Sequence, residues 1–154
     1  MNITSLEMFI DAAKAIFVEI GFLDLEINTT VDENNKYDII ASIGITGEFS
    51  GFLIIRSNLQ SSMNFINKML SNIGMEAEET NFGQFHKEAF GEILNQISGR
   101  ATMLLESNGI NSNITPPTIL IGNNISISTY DAAETLYKTI EGPFGCFNLL
   151  VGIK

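Results

Sequence analysis

Between residues 85 and 105 apolar side chains return at three- and four-residue steps: Phe85, Ala89, Phe90, Ile93, Leu94, Ile97, Ala101, Leu104 and Leu105. That period predicts a long helix lying on a core. A cap at Thr80 or Asn81 opens it, and Asn108-Gly109 stops it after about Ser107. Glu88, Glu92 and Asn95 fall on the opposite face, side by side one turn apart. The same period marks a first helix through Leu6, Phe9, Ile10, Ala13, Ile16, Phe17 and Ile20. Thr4 and Glu7 frame its start like a capping box, and Gly21 ends it. A shorter helix lies between these two, capped by Asn58 and ending near Gly74, with Leu59, Met63, Ile66, Met69 and Leu70 inward.

Elsewhere the period is two. Strands are predicted over Phe22 to Thr30, Tyr37 to Thr46 and Phe52 to Arg56, with a turn cluster at Asp32 to Asn35 and a short link from Gly47 to Gly51. After the long helix, Pro116-Pro117 makes a rigid bend into a strand from Thr118 to Ile121. A hairpin turn is expected at Asn123-Asn124, with a return strand from Ile125 to Thr129 and a loop at Asp131 to Ala133. Leu136 to Ile140 and Phe144 to Ile153 form a last hairpin across Glu141-Gly142-Pro143. The result is an α+β architecture: a largely antiparallel sheet packed against two long helices. Gly47-x-Phe49-x-x-Phe52 and Gly142-x-Phe144-x-x-Phe147 share a spacing, as a helix-then-strands unit used twice would produce.

With 154 residues, 45% apolar and 17% charged, the chain is expected to form one domain with a substantial core. A net charge of −10 argues against nucleic acid and against anionic membranes. No run reaches the length of a membrane span, and no basic-then-apolar leader opens the chain, so a cytoplasmic location is expected. The single cysteine, Cys146, reads as buried strand filler.

Candidate chemistry is sparse. His86-x-Glu88 matches the opening of a zinc deaminase signature, but the cysteine pair that signature needs is absent, and His86 reads as a surface residue. One His and one Cys make no zinc cluster. Neither a phosphate-cradling Gly-rich loop with its Lys nor a nucleophile elbow is present. Glu88 and Glu92 sit one turn apart on a wet face, with nothing in the pattern to set them apart as acid and base. Glu76, Glu78 and Glu79 read as a solvated linker. Glu92-x-x-Asn95 is then either an ordinary solvated pair or a tool aimed at a partner.

The stretch from Ala89 to Ala101, AFGEILNQISGRA, resembles the active-site helix of the CheC/CheX/FliY phosphatases of bacterial chemotaxis. The family pattern is an Asp or Ser, three residues, Glu, two residues, Asn, then about twenty-two residues to a Pro; here it reads Glu88, Glu92, Asn95 and Pro117, with 21 residues before the proline. Ile43 to Gly51 and Ile114 to Ile119 resemble CheX sequences closely. The first helix has Asp11, Lys14 and Glu19 but no Glu-x-x-Asn, and a single motif is similar to CheX rather than CheC.

The resemblance implies a pseudo-symmetric fold and hydrolysis of the aspartyl phosphate on a CheY-type response regulator. Asn95 would orient the attacking water, and Glu92 would pair with the receiver's lysine. No cofactor of the chain's own is implied, because Mg²⁺ would come with the receiver. Glu88 departs from the family's Asp or Ser, and no role is carried onto it. A homodimer through sheet edges is implied too, though no residue marks the interface. The rival expectation is a docking module that binds a receiver or signalling protein without catalysis.

Overall fold

The computed structural model describes residues 3–29, 37–76, 82–126 and 132–154. The elements run α1 (Ile3–Glu19), β1 (Glu26–Asn28), β2 (Tyr37–Gly47), β3 (Gly51–Ser57), α2 (Leu59–Asn72), α3 (Gln84–Ser107), β4 (Ser112–Ile114), β5 (Thr118–Ile125), β6 (Glu134–Gly142) and β7 (Gly145–Ile153). All seven strands join one sheet and every pairing is antiparallel, as the alternating segments predicted.

The strand order is β1-β6-β7-β3-β2-β4, with β5 also on β2. Exchanging β3 with β7, β2 with β6, and β1 with the β4/β5 pair turns that order into itself. Each half is a helix followed by strands, but its outer strand is lent to the other half: β1 pairs with β6, while β4 and β5 pair with β2. The two halves are thus interlocked. Phe49 and Phe144 occupy matching places, both buried on the helix side. Phe52 and Phe147 do not match. The first hairpin is closed by Glu48, Phe49 and Ser50, the second by Pro143 and Phe144 alone. One residue fewer reverses the faces, because side chains alternate along a strand. Phe147 points to the helices and Phe52 to the other side.

The helix-side face carries the core. Ala41, Ile43, Ile45, Leu53, Ile55, Phe147, Leu149 and Val151 line it from the central strands. The apolar stripes of α1 and α3 press onto these residues, the two helices lying side by side. α2 closes one end with Phe65, whose ring lies within 6.1 Å of those of Phe17, Phe22, Phe90, Phe144 and Phe147. On the opposite face Ile40, Ile54 and Leu150 are buried beneath Tyr37, Phe52, Ile125 and Tyr137. There the Arg56 guanidinium, 2% exposed, stacks 4.6 Å from the centre of the Tyr37 ring and 5.3 Å from that of Tyr137. The Tyr37 hydroxyl donates to Asn148 Oδ1.

Several expectations change. α1 is already helical at Ile3, so Thr4 lies in its first turn rather than before it. The first strand shortens to Glu26–Asn28, since an edge strand keeps only the residues that find ladder partners. β5 continues through Asn123 and Asn124 to Ile125, so no hairpin turn falls there; its partner β2 continues alongside, with Tyr37 opposite Ile125. The return strand after Ser126, the Asp32 to Asn35 turn, Glu78 and Glu79, and Asp131 lie outside the described residues. Cys146 is exposed: it stands opposite Glu141 near the tip of the last hairpin, and strand alternation turns it away from the helix side to which its neighbour Phe147 points.

Because Phe65 joins five other rings with no exposed surface, Phe65→Ala should lower the unfolding free energy by about 3–5 kcal/mol. Urea denaturation should show this as a lower midpoint with an unchanged slope.

Candidate functional site

Helix α3 is fixed at both ends. Its N-cap is Gly83, two or three residues beyond the predicted cap at Asn81 or Thr80, both of which lie outside the described residues. His86 stands at the third helical position and does the work of the Glu or Gln of a capping box. Its Nδ1 accepts from the backbone N–H of Gly83 at 3.2 Å, and its Nε2 lies 3.4 Å from Asn67 Oδ1 of α2. The ring stacks on Phe82, 5.2 Å between centres, and is fully buried. The surface location expected for His86 is therefore wrong: an imidazole that closes a helix start has to lie beneath it. Phe85, counted with the apolar stripe, is instead 37% exposed. At the far end Asn108 is the C-cap, and Gly109 takes a φ of 78°, as Asn-Gly predicted.

Between these ends Phe90, Ile93, Leu94, Ile97, Ala101 and Leu105 are buried. Each large side chain among them contributes about 1.5–3 kcal/mol by leaving water. The opposite face therefore cannot roll. It presents Glu88 and Glu92 exposed and Asn95 half-buried. Gln96 Nε2 donates to Glu92 Oε1 at 3.3 Å, and Gln84 Nε2 donates to Glu88 Oε1 at 3.3 Å. Among the described residues the Asn95 carboxamide takes no hydrogen bond, which leaves its donors and its acceptor available.

The proline bend completes the site. Thr115 anchors it to β2: its N–H donates to the Gly44 carbonyl at 2.9 Å, and the Gly44 N–H donates to Thr115 Oγ1 at 2.8 Å. This sets Pro117 on the backbone of α3 beside Glu92. A Cβ at Gly91 would lie 3.4 Å from Pro117 Cγ and 3.9 Å from Ile119 Cδ1. The 21 residues between Asn95 and Pro117 thus close a loop that returns to the same turn of α3. The sequence reading passed over Gly91 and Gln96. A glycine inside a helix was the available signal for Gly91, since it needs a packing reason; nothing in the spacing singled out Gln96.

Glu92 and Asn95 stand three residues, about 4.5 Å of helix rise, apart. A carboxylate can hold a cation there while a carboxamide both donates to and accepts from a water. Among the described residues no group of three or more His, Cys, Asp or Glu side chains could hold a metal ion, and no helix is long and apolar enough to cross a membrane.

The family model of the chemotaxis phosphatase CheX matches residues 39–141, which include β2 through α3 to the last hairpin. The chain belongs to the CheX family. The CheY-P phosphatase CheX of Thermotoga maritima is 30% identical over 94 residues, 61% of this chain and 58% of the relative's own length. The crystal structure of a CheC-like superfamily protein from Shewanella sp. PV-4 superimposes with a TM-score of 0.83 at 21% identity, covering 100% of this chain and 99% of that one. A chain of the CheX-CheY-BeF3-Mg complex from Borrelia burgdorferi does so with a TM-score of 0.74 at 21% identity, covering 97% of each. These likenesses show the CheC/CheX fold, in keeping with the pseudo-symmetry of the sheet.

Pro117 seated on Gly91 leaves room for one methyl group and no more. Gly91→Ala should change stability by less than about 1 kcal/mol, helix propensity offsetting the closer contact. Gly91→Val should lose about 1–3 kcal/mol through overpacking. Thermal unfolding of both variants checks this.

Proposed function

We propose that this CheX-family chain hydrolyses the aspartyl phosphate of a CheY-type response regulator. The observation that carries the reading is the face of α3: Glu92 exposed and Asn95 half-buried on a helix that cannot rotate, with the Asn95 carboxamide unengaged by any of the described residues. The name of the Thermotoga maritima relative and the CheX-CheY-BeF3-Mg complex of the Borrelia burgdorferi neighbour support it.

An acyl phosphate is already activated. Its hydrolysis needs a water held in line behind the phosphorus, so positioning and charge stabilisation supply most of the catalysis. In this reading Glu92 pairs with the receiver's lysine and fixes the approach of α3. Asn95 accepts a hydrogen bond from the attacking water and orients its lone pair at phosphorus. The water oxygen bonds to phosphorus, the bond to the aspartyl oxygen breaks, and the products are the receiver's carboxylate and inorganic phosphate. Mg²⁺ arrives with the receiver and neutralises the phosphoryl oxygens.

Phosphate loss from a phosphorylated CheY-type receiver, followed with Mg²⁺ present, tests the reading. The chain should accelerate decay, and Asn95→Ala should remove about 10²-fold or more of that acceleration while receiver binding persists. Glu92→Ala should weaken both binding and decay. Binding without any acceleration by the unaltered chain would make this a docking module instead.

A further inference from the structure

Helix α3 contains two glycines, and among the described residues only one has a packing partner. Gly91 receives Pro117; around Gly99 nothing among the described residues lies within 4 Å of where a Cβ would stand. Gly99 takes no left-handed φ and ends no helix, since α3 continues eight residues further to Ser107. A mid-helix glycine is unfavourable relative to alanine, because the backbone loses more freedom on folding and is bared to water. No packing contact among the described residues asks for this one. The turn is held all the same: the Thr102 hydroxyl donates to the Gly99 carbonyl oxygen at 2.9 Å.

Its position is specific. Seven residues beyond Glu92 is two turns with a drift of about 20°, so Gly99 lies almost directly in line with Glu92, about 10.5 Å along the axis. Asn95 lies one turn below it. One turn above, Met103 is 63% exposed. The missing side chain leaves a notch in the same face, bounded by Asn95 and Gln96 on one side and Met103 on the other. That notch continues the surface on which Glu92 offers its carboxylate to a cation.

We infer that Gly99 is a contact position: it lets the backbone of the phosphorylated receiver come against α3 one turn beyond Asn95, which a Cβ would prevent. This rests on the reading proposed above, and it adds a residue that selects the partner by shape where Glu92 selects by charge. Glycine here trades helix stability for closeness of approach.

The test uses Gly99→Ala and Gly99→Leu in the full chain, with thermal unfolding and dephosphorylation measured over a range of receiver concentrations. Gly99→Ala should raise Tm by about 2–4 °C, as helix propensity alone requires. It should also raise KM for the phosphorylated receiver about five- to 30-fold, with kcat retained, and Gly99→Leu should raise KM further. A purely structural glycine would move Tm and not KM. Both variants at the unaltered KM would overturn the inference while leaving the phosphatase reading standing. So would a lower Tm for Gly99→Ala, or a change in oligomeric mass that accounts for the loss, since the notch would then serve the fold or a second copy. If the unaltered chain does not accelerate decay at all, the phosphatase reading falls and the inference falls with it.

Discussion

A seven-stranded sheet with helices on one side has a broad apolar face that must leave water, and burying it under α1 and α3 is the constraint on which the rest depends. Ile43, Leu53, Ile55, Leu149 and Val151 supply that face from β2, β3 and β7. Both helices answer with stripes at helical spacing, so their rotation about their own axes is set by packing rather than by local preference. The direction of the polar face of α3, which bears the proposed site, is a by-product of this choice. Once Phe90, Leu94, Ile97 and Ala101 point inward, Glu92 and Asn95 have only one direction left.

The interlocked halves add rigidity. β1 belongs to the first half and pairs in the second; β4 and β5 belong to the second and pair in the first. Neither half has its outer strand without the other. The same exchange carries Pro117 across to α3, because β4 and β5 must run beside β2 and so pass under the helix that precedes them in sequence. Thr115 holds the bend, Gly91 admits it, and the turn bearing Glu92 is supported from below. A site proposed to position a water gains from such support, since small displacements of a positioning group are expensive in rate.

The division of labour between partners follows from the same surface. In the proposed reaction the chain offers an anchoring carboxylate and an orienting carboxamide on a preformed helix. The chemistry of the proposed reaction, the acyl phosphate and its Mg²⁺, belongs to the receiver. A site of this kind carries none of the usual marks of an enzyme active site. It is read only by the direction its side chains face and by the space left around them.

Much of this was legible in the sequence. Periods of 3.6 and 2 gave the three helices and most of the strands, the stops at Gly21, Gly74 and Gly109 were visible as glycines, and Glu92 and Asn95 fell on the polar face by spacing alone. The family could be named from the residues around them. What the sequence did not determine lies in contacts between distant residues. A buried, capping His86 has the same local pattern as an exposed one; only Asn67 and Phe82 decide between them. Cys146 sits in an apolar run, yet it faces away from the helices while its neighbour Phe147 faces them. Phe65 was left out of the inward face of α2, although five rings converge on it from α1, the loop after α1, α3 and the last hairpin. Gly91 and Gly99 are the same letter in the same helix, and what separates them is whether Pro117 lies against one of them. Local periodicity records which way a side chain faces; what it meets there is set by strand order and register, which only the folded chain determines.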